Sequence, residues 1–365
     1  MRVGILGGGQ LGRMLALEGY RLGLEFRFLD PAPGAPVRGL GELILAEFDD
    51  LEALEPFSEG LDVATYEFEN VPVQSARVLA GCCPVLPPPA ALQVAQDRLT
   101  EKQAFESLDI PTATYVPVDH KEDLALAAAR VGMPAVLKTR SSGYDGKGQA
   151  VVHGIAELEA AWERLGERLI LERLVRFSRE LSIIGVRGGD GATAFYPLVQ
   201  NEHRGGMLHM SLAPAPVVSE SLQQKAEDYL LRLMEQLEYV GVLTLELFQE
   251  GDELLANEMA PRVHNSGHWT LDGAACSQFE NHLRAVCGYP LGSTEVRGHA
   301  GMLNLVGTVP PMERLLELPG VRVHLYGKEP RPGRKLGHVN VTGDDPAAVR
   351  EALERLEAIT EEFAG

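Results

Sequence analysis

The beginning of this chain of 365 residues constrains its fold most. Over about its first ninety residues, short apolar runs alternate with stretches of helical spacing, the pattern of a parallel sheet joined by crossover helices. Val3 to Leu6 reads as strand, Gln10 to Leu22 as helix, and Glu25 to Leu29 as the next strand, ended by Asp30-Pro31. Leu43 to Phe48 and Val63 to Glu67 read as further strands and Val73 to Ala80 as a helix. The prolines from Pro84 to Pro89 break the pattern, and a domain boundary is expected near them. Helical spacing returns from Ala90 to Leu108. Strands are then expected at Leu169 to Leu174, Leu181 to Val186 and Thr193 to Val199, followed by a helix from Ser219 to Leu237. Gly241 to Gln249 and Glu253 to Ala260 read as two strands around a short turn, and the tail adds strands at Met302 to Val306, Val321 to Tyr326 and Gly337 to Val341 before a last helix from Pro346.

Between the first strand and helix, Gly7-Gly8-Gly9-Gln10-Leu11-Gly12 satisfies G-x-G-x-x-G, with Asp30 closing the second strand. That pattern proposes a dinucleotide site. The same glycines also serve any anion at a helix N-terminus, or close packing of strand on helix, and no hydride-transfer constellation accompanies them.

Charge limits the partners. There are 33 basic and 52 acidic residues, a net charge of −19, which argues against a protein that covers nucleic acid or an anionic membrane. Four cysteines without a C-x-x-C spacing give no disulfide framework and fit a reducing cytoplasm. The uncharged stretch Val78 to Gln96 is broken by prolines, so no membrane span is expected, and the first residues do not read as an export signal.

Glu246 and Glu258 flank Gly251-Asp252. A three-residue turn at Gly251 to Glu253 places them opposite each other on one face, with Thr244, Phe248, Ala256 and Ala260, while Leu243, Leu245, Leu247, Leu255 and Met259 share the other. A two-residue turn would put Glu258 among the leucines, where an unpaired charge is costly. Facing carboxylates with Cβ atoms ~5 Å apart repel unless a cation lies between them, and oxygen-only ligation suits magnesium.

Lys138 ends an apolar strand and leads into Ser141-Ser142-Gly143-Tyr144-Asp145-Gly146-Lys147-Gly148-Gln149, which lacks the order of a Walker A loop and reads as a glycine-rich hairpin able to cover phosphates. Arg262-Val263-His264-Asn265-Ser266-Gly267-His268-Trp269 reads as a substrate-binding loop rather than a zinc site. Arg322, Lys328, Arg331, Arg334 and Lys335 against Glu329 form a local basic exception fit to capture a phosphate.

Taken in order, Gly9 to Met14, Phe68-Glu69-Asn70-Val71-Pro72, Asp97-Arg98-Leu99-Thr100-Glu101-Lys102, Gly143 to Gln149, Ala260 to Trp269 and Arg331 to Val339 make the chain resemble the N5-carboxyaminoimidazole ribonucleotide synthases, ATP-grasp enzymes of purine biosynthesis. The resemblance implies a mixed α/β and α+β chain: a Rossmann-like domain at 1–92, a two-lobed ATP-grasp domain at 93–292 and a small β-rich domain at 293–365. It implies ATP contacts by Arg98, Lys138, the flap Gly143, Tyr144, Asp145, Gly146, Lys147, Gly148 and Gln149, the hinge Glu172, Arg173, Leu174 and Val175, then Glu180, His203, Asn257 and Glu258. Glu180 would take the ribose hydroxyls, and Glu246 and Glu258 would hold magnesium. The substrate, 5-aminoimidazole ribonucleotide, would lie against Tyr144, Arg262, His264, Asn265, Ser266, Lys328, Arg334 and Lys335, with Lys138, Arg262, Glu246 and Glu258 in catalytic roles. Ser142 stands where the family's flap commonly has glycine. The resemblance further implies bicarbonate as co-substrate, carboxyphosphate as intermediate and a homodimer. A nicotinamide oxidoreductase, another carboxylate-amine ligase of the superfamily and a non-catalytic ATP-binding regulator remain as alternatives.

Overall fold

The computed structural model describes residues 1–363 apart from 142, 144 and 145. Among these residues three sheets form. The first is parallel, in the order Glu42–Ile44, Glu25–Leu29, Arg2–Leu6, Val63–Tyr66, as the N-terminal alternation predicts. The strand expected at Leu43 to Phe48 is confined to Glu42–Ile44, because the chain leaves the sheet edge there and Leu45 is exposed.

The second sheet is antiparallel, in the order Tyr115–Val118, Leu169–Arg173, Ala135–Thr139, Gln149–Val152. Lys138 pairs with Gln149, so the strands on either side of the glycine-rich segment run antiparallel. The helix expected from Ala90 to Leu108 is two helices, Pro89–Ala95 and Arg98–Ser107. Asp97 divides them: its backbone is extended and its carboxylate accepts from the Leu99 and Thr100 amides, so a new helix starts at Arg98.

The third sheet has nine strands and runs from Glu253–Ala260 through Gly241–Glu250, Arg179–Arg187, Val199–Arg204, Met207–Ala213, His299–Val306 and Lys335–Gly343 to Val321–Leu325, with Thr193–Phe195 also on Arg179–Arg187. The strand expected at Thr193 to Val199 is divided around Pro197, which has no N–H to give a ladder. The Met207–Ala213 strand, absent from the sequence reading, joins the C-terminal strands to the central ones, with Met210 opposite Leu303 and Ala213 opposite Ala300. This continuity carries the basic tail back toward the centre of the molecule.

Helices cover the sheet with apolar stripes. In Glu220–Gln236, capped by Ser219, Leu222, Ala226, Tyr229, Leu230 and Leu233 pack with Leu181, Ile183, Leu243, Leu245 and Leu247. Each fully buried leucine contributes roughly 1.5–3 kcal/mol. Val349, Leu353, Leu356 and Ile359 of Pro346–Phe363 do the same over Leu303, Leu305, Val339 and Val341.

Candidate active site

The glycine turn is filled from within. Asp30 accepts the Gly8 amide at 2.7 Å, and Glu67 accepts those of Gly9 and Gly12 at 2.8 and 3.3 Å. A Cβ on Gly9 would lie 2.7 Å from Glu67 Oε1, so a side chain here would displace the carboxylate that closes the turn. Three amides of the turn that a dinucleotide phosphate could use are thus engaged within the protein, which counts against the nicotinamide reading.

Glu246 and Glu258 do face each other, by a route different from the expected one. Glu250 pairs with Glu253, so the turn has two residues, Gly251 and Asp252, with Gly251 at φ +64°. The register then shifts between Glu246 and Leu247, leaving Asn257 as an extra residue in the second strand. This bulge restores the acid pair that a two-residue turn alone would have broken. It also corrects the faces: Ala256 and Leu254 belong to the buried leucine side, and Leu255 lies opposite Phe248.

The pair is electrostatically unequal. Burial and the charge of Glu258 push Glu246 up to about 8. Burial also works against the Glu258 charge, yet Arg98, whose Nη1 lies 2.9 Å from it, and the lysines Lys138 and Lys102 hold its carboxyl below the usual range. His264 Nε2 sits 3.3 Å from Glu246, and burial with the neighbouring Arg262 and Lys335 charges keeps that imidazole neutral. The Asn257 Oδ1 beside Glu258 is buried without a hydrogen-bond partner. Two carboxylates and an amide oxygen are the donor types a hard divalent cation takes.

Across the cleft, Lys138 meets Glu172 at 2.9 Å. Glu172 opens the expected hinge and is itself buried, its other oxygen without a partner. Arg173 pairs with Glu250, which ties the hinge to the larger sheet, and Val175 is buried. Glu180 and His203, from neighbouring strands, meet at 2.9 Å. In the flap, the Gly148 carbonyl accepts the Thr139 amide at 2.8 Å, and Gly146 lies so close to the Gly205-Gly206 turn that a Cβ would come within 2.8 Å of Gly206 Cα. Tyr144, Asp145 and Ser142 lie outside the described residues.

The Arg262 loop and the basic tail converge. Arg262 binds Glu69 at 2.7 Å, and Asn265 exchanges two hydrogen bonds with Asn304. Ser266 is fully buried, its hydroxyl held between Ser182 and the His264 ring. Lys328 reaches Gln10 beside the glycine turn, and burial pulls it down to about 8. Arg334 donates to the Glu329 carbonyl at 3.2 Å. His268 packs at a tilt against His338 within the core, and among the described residues no group of three or more His, Cys, Asp or Glu could hold a metal.

Three family models match in sequence: a ribonucleotide synthetase preATP-grasp domain at residues 1–96, an ATP-grasp domain at 103–279 and a phosphoribosylaminoimidazole carboxylase C-terminal domain at 300–352. The N5-carboxyaminoimidazole ribonucleotide synthase of Pseudomonas aeruginosa is 48% identical over 362 residues, 99% of this chain and 100% of that one. The chain belongs to the N5-carboxyaminoimidazole ribonucleotide synthase family. The crystal structure of the synthetase from Thermus thermophilus is similar at a TM-score of 0.95 and 58% identity, with 98% of each chain covered. The synthase from Aspergillus clavatus, in complex with ADP and 5-aminoimidazole ribonucleotide, is similar at 0.92 and 30%, covering 99% of this chain and 98% of that one.

Within this ATP-grasp ligase family, motif reading passed over several residues that shape the cleft. Phe177 stacks on Phe248, ring centroids 4.8 Å apart, next to the hinge. Glu101 and Lys102 are almost wholly buried behind Glu258. Their signal in the sequence is slight: two adjacent charges follow the Asp97 cap inside one motif, and helical period alone lets both face solvent.

Proposed function

We infer that this chain carries out the ATP-dependent carboxylation of 5-aminoimidazole ribonucleotide by bicarbonate, giving N5-carboxyaminoimidazole ribonucleotide, ADP and phosphate in purine biosynthesis. The observation that carries this reading is the convergence on one cleft of Lys138, the Glu246/Glu258 pair, the Arg262 loop and the basic tail.

A bicarbonate oxygen attacks the γ-phosphorus, ADP leaves, and carboxyphosphate forms. Its carboxyl group, directly or as carbon dioxide, is taken by the exocyclic amine, and phosphate departs. Lys138, held by Glu172, and Arg98 would contact the phosphates, under the flap formed by Gly143, Tyr144, Asp145, Gly146, Lys147, Gly148 and Gln149. Glu172 to Val175 would meet the adenine edge, Glu180 the ribose, and His203 would hold Glu180 in place. Arg262, His264, Asn265, Lys328, Arg334, Lys335 and Tyr144 would receive the ribotide, with Ser266 acting through the His264 ring it hydrogen-bonds.

The facing oxygen donors of Glu246 and Glu258, with the unpartnered Asn257 Oδ1, fit magnesium. When bound with the nucleotide, the ion supplies positive charge against the transferring phosphoryl group. A homodimer and a cytoplasmic location belong to the same proposal. The four free cysteines agree with a reducing compartment, and among the described residues no helix is long and apolar enough to cross a membrane.

Phosphate release measured with ATP, magnesium, bicarbonate and aminoimidazole ribotide, omitting each in turn, tests the reading. Release is expected to need every component. Undiminished release without the ribotide would redirect the assignment to another acceptor, and light scattering at the dimer's mass would separately test the assembly.

A further inference from the structure

The bulge at Asn257 decides which way Glu258 points, and its exposed backbone groups have to be satisfied by something. In the nine-stranded sheet Glu253–Ala260 is the outermost strand, so its outer edge has no strand beside it. Helix Arg98–Ser107 and the segment after it cover that edge. Lys102 Nζ lies 2.8 Å from the Asn257 carbonyl, 3.1 Å from the Ala256 carbonyl and 2.9 Å from Thr112 Oγ1, and Thr112 in turn donates to the Ala256 carbonyl at 2.8 Å. Three N–H donors thus meet three oxygens, the complement of an ammonium group. Glu101 accepts the Met259 amide at 2.6 Å, and the Pro111 carbonyl accepts the Ala256 amide at 2.7 Å. Every one of these groups lies on the residues flanking Glu258.

Lys102 is only 1% exposed, and its three hydrogen bonds all go to Thr112 and to the backbone of the bulge. It also stands 3.7 Å from Glu172 Oε2, the same oxygen that holds Lys138 at 2.9 Å. One buried carboxylate therefore connects the lysine of the smaller lobe to the bulge of the larger one.

We propose that Lys102, with Glu101 and Thr112, is a positioning residue that locks the Asn257 bulge and so fixes Glu258 opposite Glu246 in the orientation that receives a divalent cation. The proposal rests on the reading of Glu246 and Glu258 as the cation's ligands. The physical reason is register. A ladder that loses the bulge moves by one residue, and in a strand that sends Glu258 to the leucine face. Carbonyls left bare at the bulge favour such a slip, because each buried unsatisfied group carries a desolvation penalty.

The test measures ADP binding by titration calorimetry, with magnesium and again with EDTA, in the full chain and in Lys102→Met, Thr112→Val and Glu258→Gln. Residues that orient metal ligands typically change metal affinity by about 10- to 100-fold, so Lys102→Met is expected to weaken magnesium-dependent ADP binding by about tenfold or more while metal-free binding stays within about twofold. A purely structural role would lower both affinities together. A folded Lys102→Met protein with both affinities at the wild-type value overturns the proposal. If Lys102→Met does not melt cooperatively, Thr112→Val decides: a loss of about threefold confined to the magnesium-dependent term supports the proposal, and no loss overturns it. Glu258→Gln separates the positioning role from the ligand role beneath it. Its retention of full magnesium dependence overturns the reading of the carboxylates themselves, whereas its loss beside an unaffected, folded Lys102→Met overturns the positioning role alone.

Discussion

The glycine turn at Gly7 to Gly12 and the hairpin bearing Glu246 and Glu258 both read as ligand sites in the sequence, and the fold treats them in opposite ways. In the turn, the amides of Gly8, Gly9 and Gly12 are taken by Asp30 and Glu67, so helix and strand close on each other with their donors matched. In the hairpin, two partly exposed acids face each other, one is pushed up to about 8, and the neighbouring Asn257 Oδ1 has no partner. A motif whose polar groups answer one another is packing. A motif whose groups are left unbalanced in a cleft is a place for something else to bind.

The sharpest way to break this contrast is Glu258→Gln. Removing one charge from the hairpin is expected to lower kcat by roughly a hundred- to a thousandfold with an unchanged melting temperature, and a wild-type rate would end the claim. Next in size, Arg334→Ala should weaken ribotide binding by about tenfold or more while ATP binding changes little, because a charge-assisted phosphate contact is lost at one ligand only. Equal loss for both ligands would place Arg334 elsewhere. On the other side of the contrast, Glu67→Gln should leave catalysis largely intact in the folded fraction and lower stability by about 1–3 kcal/mol, since one of two glycine amides loses its acceptor. Denaturant unfolding reads this, and an unchanged midpoint would count against the packing role.

A smaller effect concerns pH. Burial acts to raise the Glu172 carboxyl, but the charges of Lys138 and Lys102 overcome it and hold it at about 2. A carboxylate whose folded value lies below its unfolded one stabilises the protein above the unfolded value, and that contribution fades as pH falls from about 4.5 toward 2. Unfolding followed across that window should therefore be steeper in the wild type than in Glu172→Gln, and matching slopes would refute the assignment. Smallest of all, NADH fluorescence should not change on mixing, because Asp30 and Glu67 already hold the Gly8, Gly9 and Gly12 amides.

Much of the cleft was legible because its chemistry sits in short contiguous runs. The strand that carries Lys138, its antiparallel return at Gln149 and the opposition of Glu246 to Glu258 follow from local periodicity and charge. The route to that opposition was not legible. A two-residue turn with a bulge and a three-residue turn without one place Glu246 opposite Glu258 alike, and only the outer-edge partners of Ala256, Asn257 and Met259 distinguish them.

Residue order alone was enough for the parallel N-terminal sheet, the hairpin of acids and the local reversal of an overall −19 charge in the basic tail. Those are short-range properties, set by side-chain period and by charges near one another along the chain. Folding in three dimensions decided that Asp30 and Glu67 close the glycine turn, that the Met207–Ala213 strand joins the C-terminal strands to the central sheet, and that Lys102 secures the bulge beside Glu258. Each of those depends on a partner distant in sequence, and a buried polar group cannot name its partner until the backbone has brought the two together.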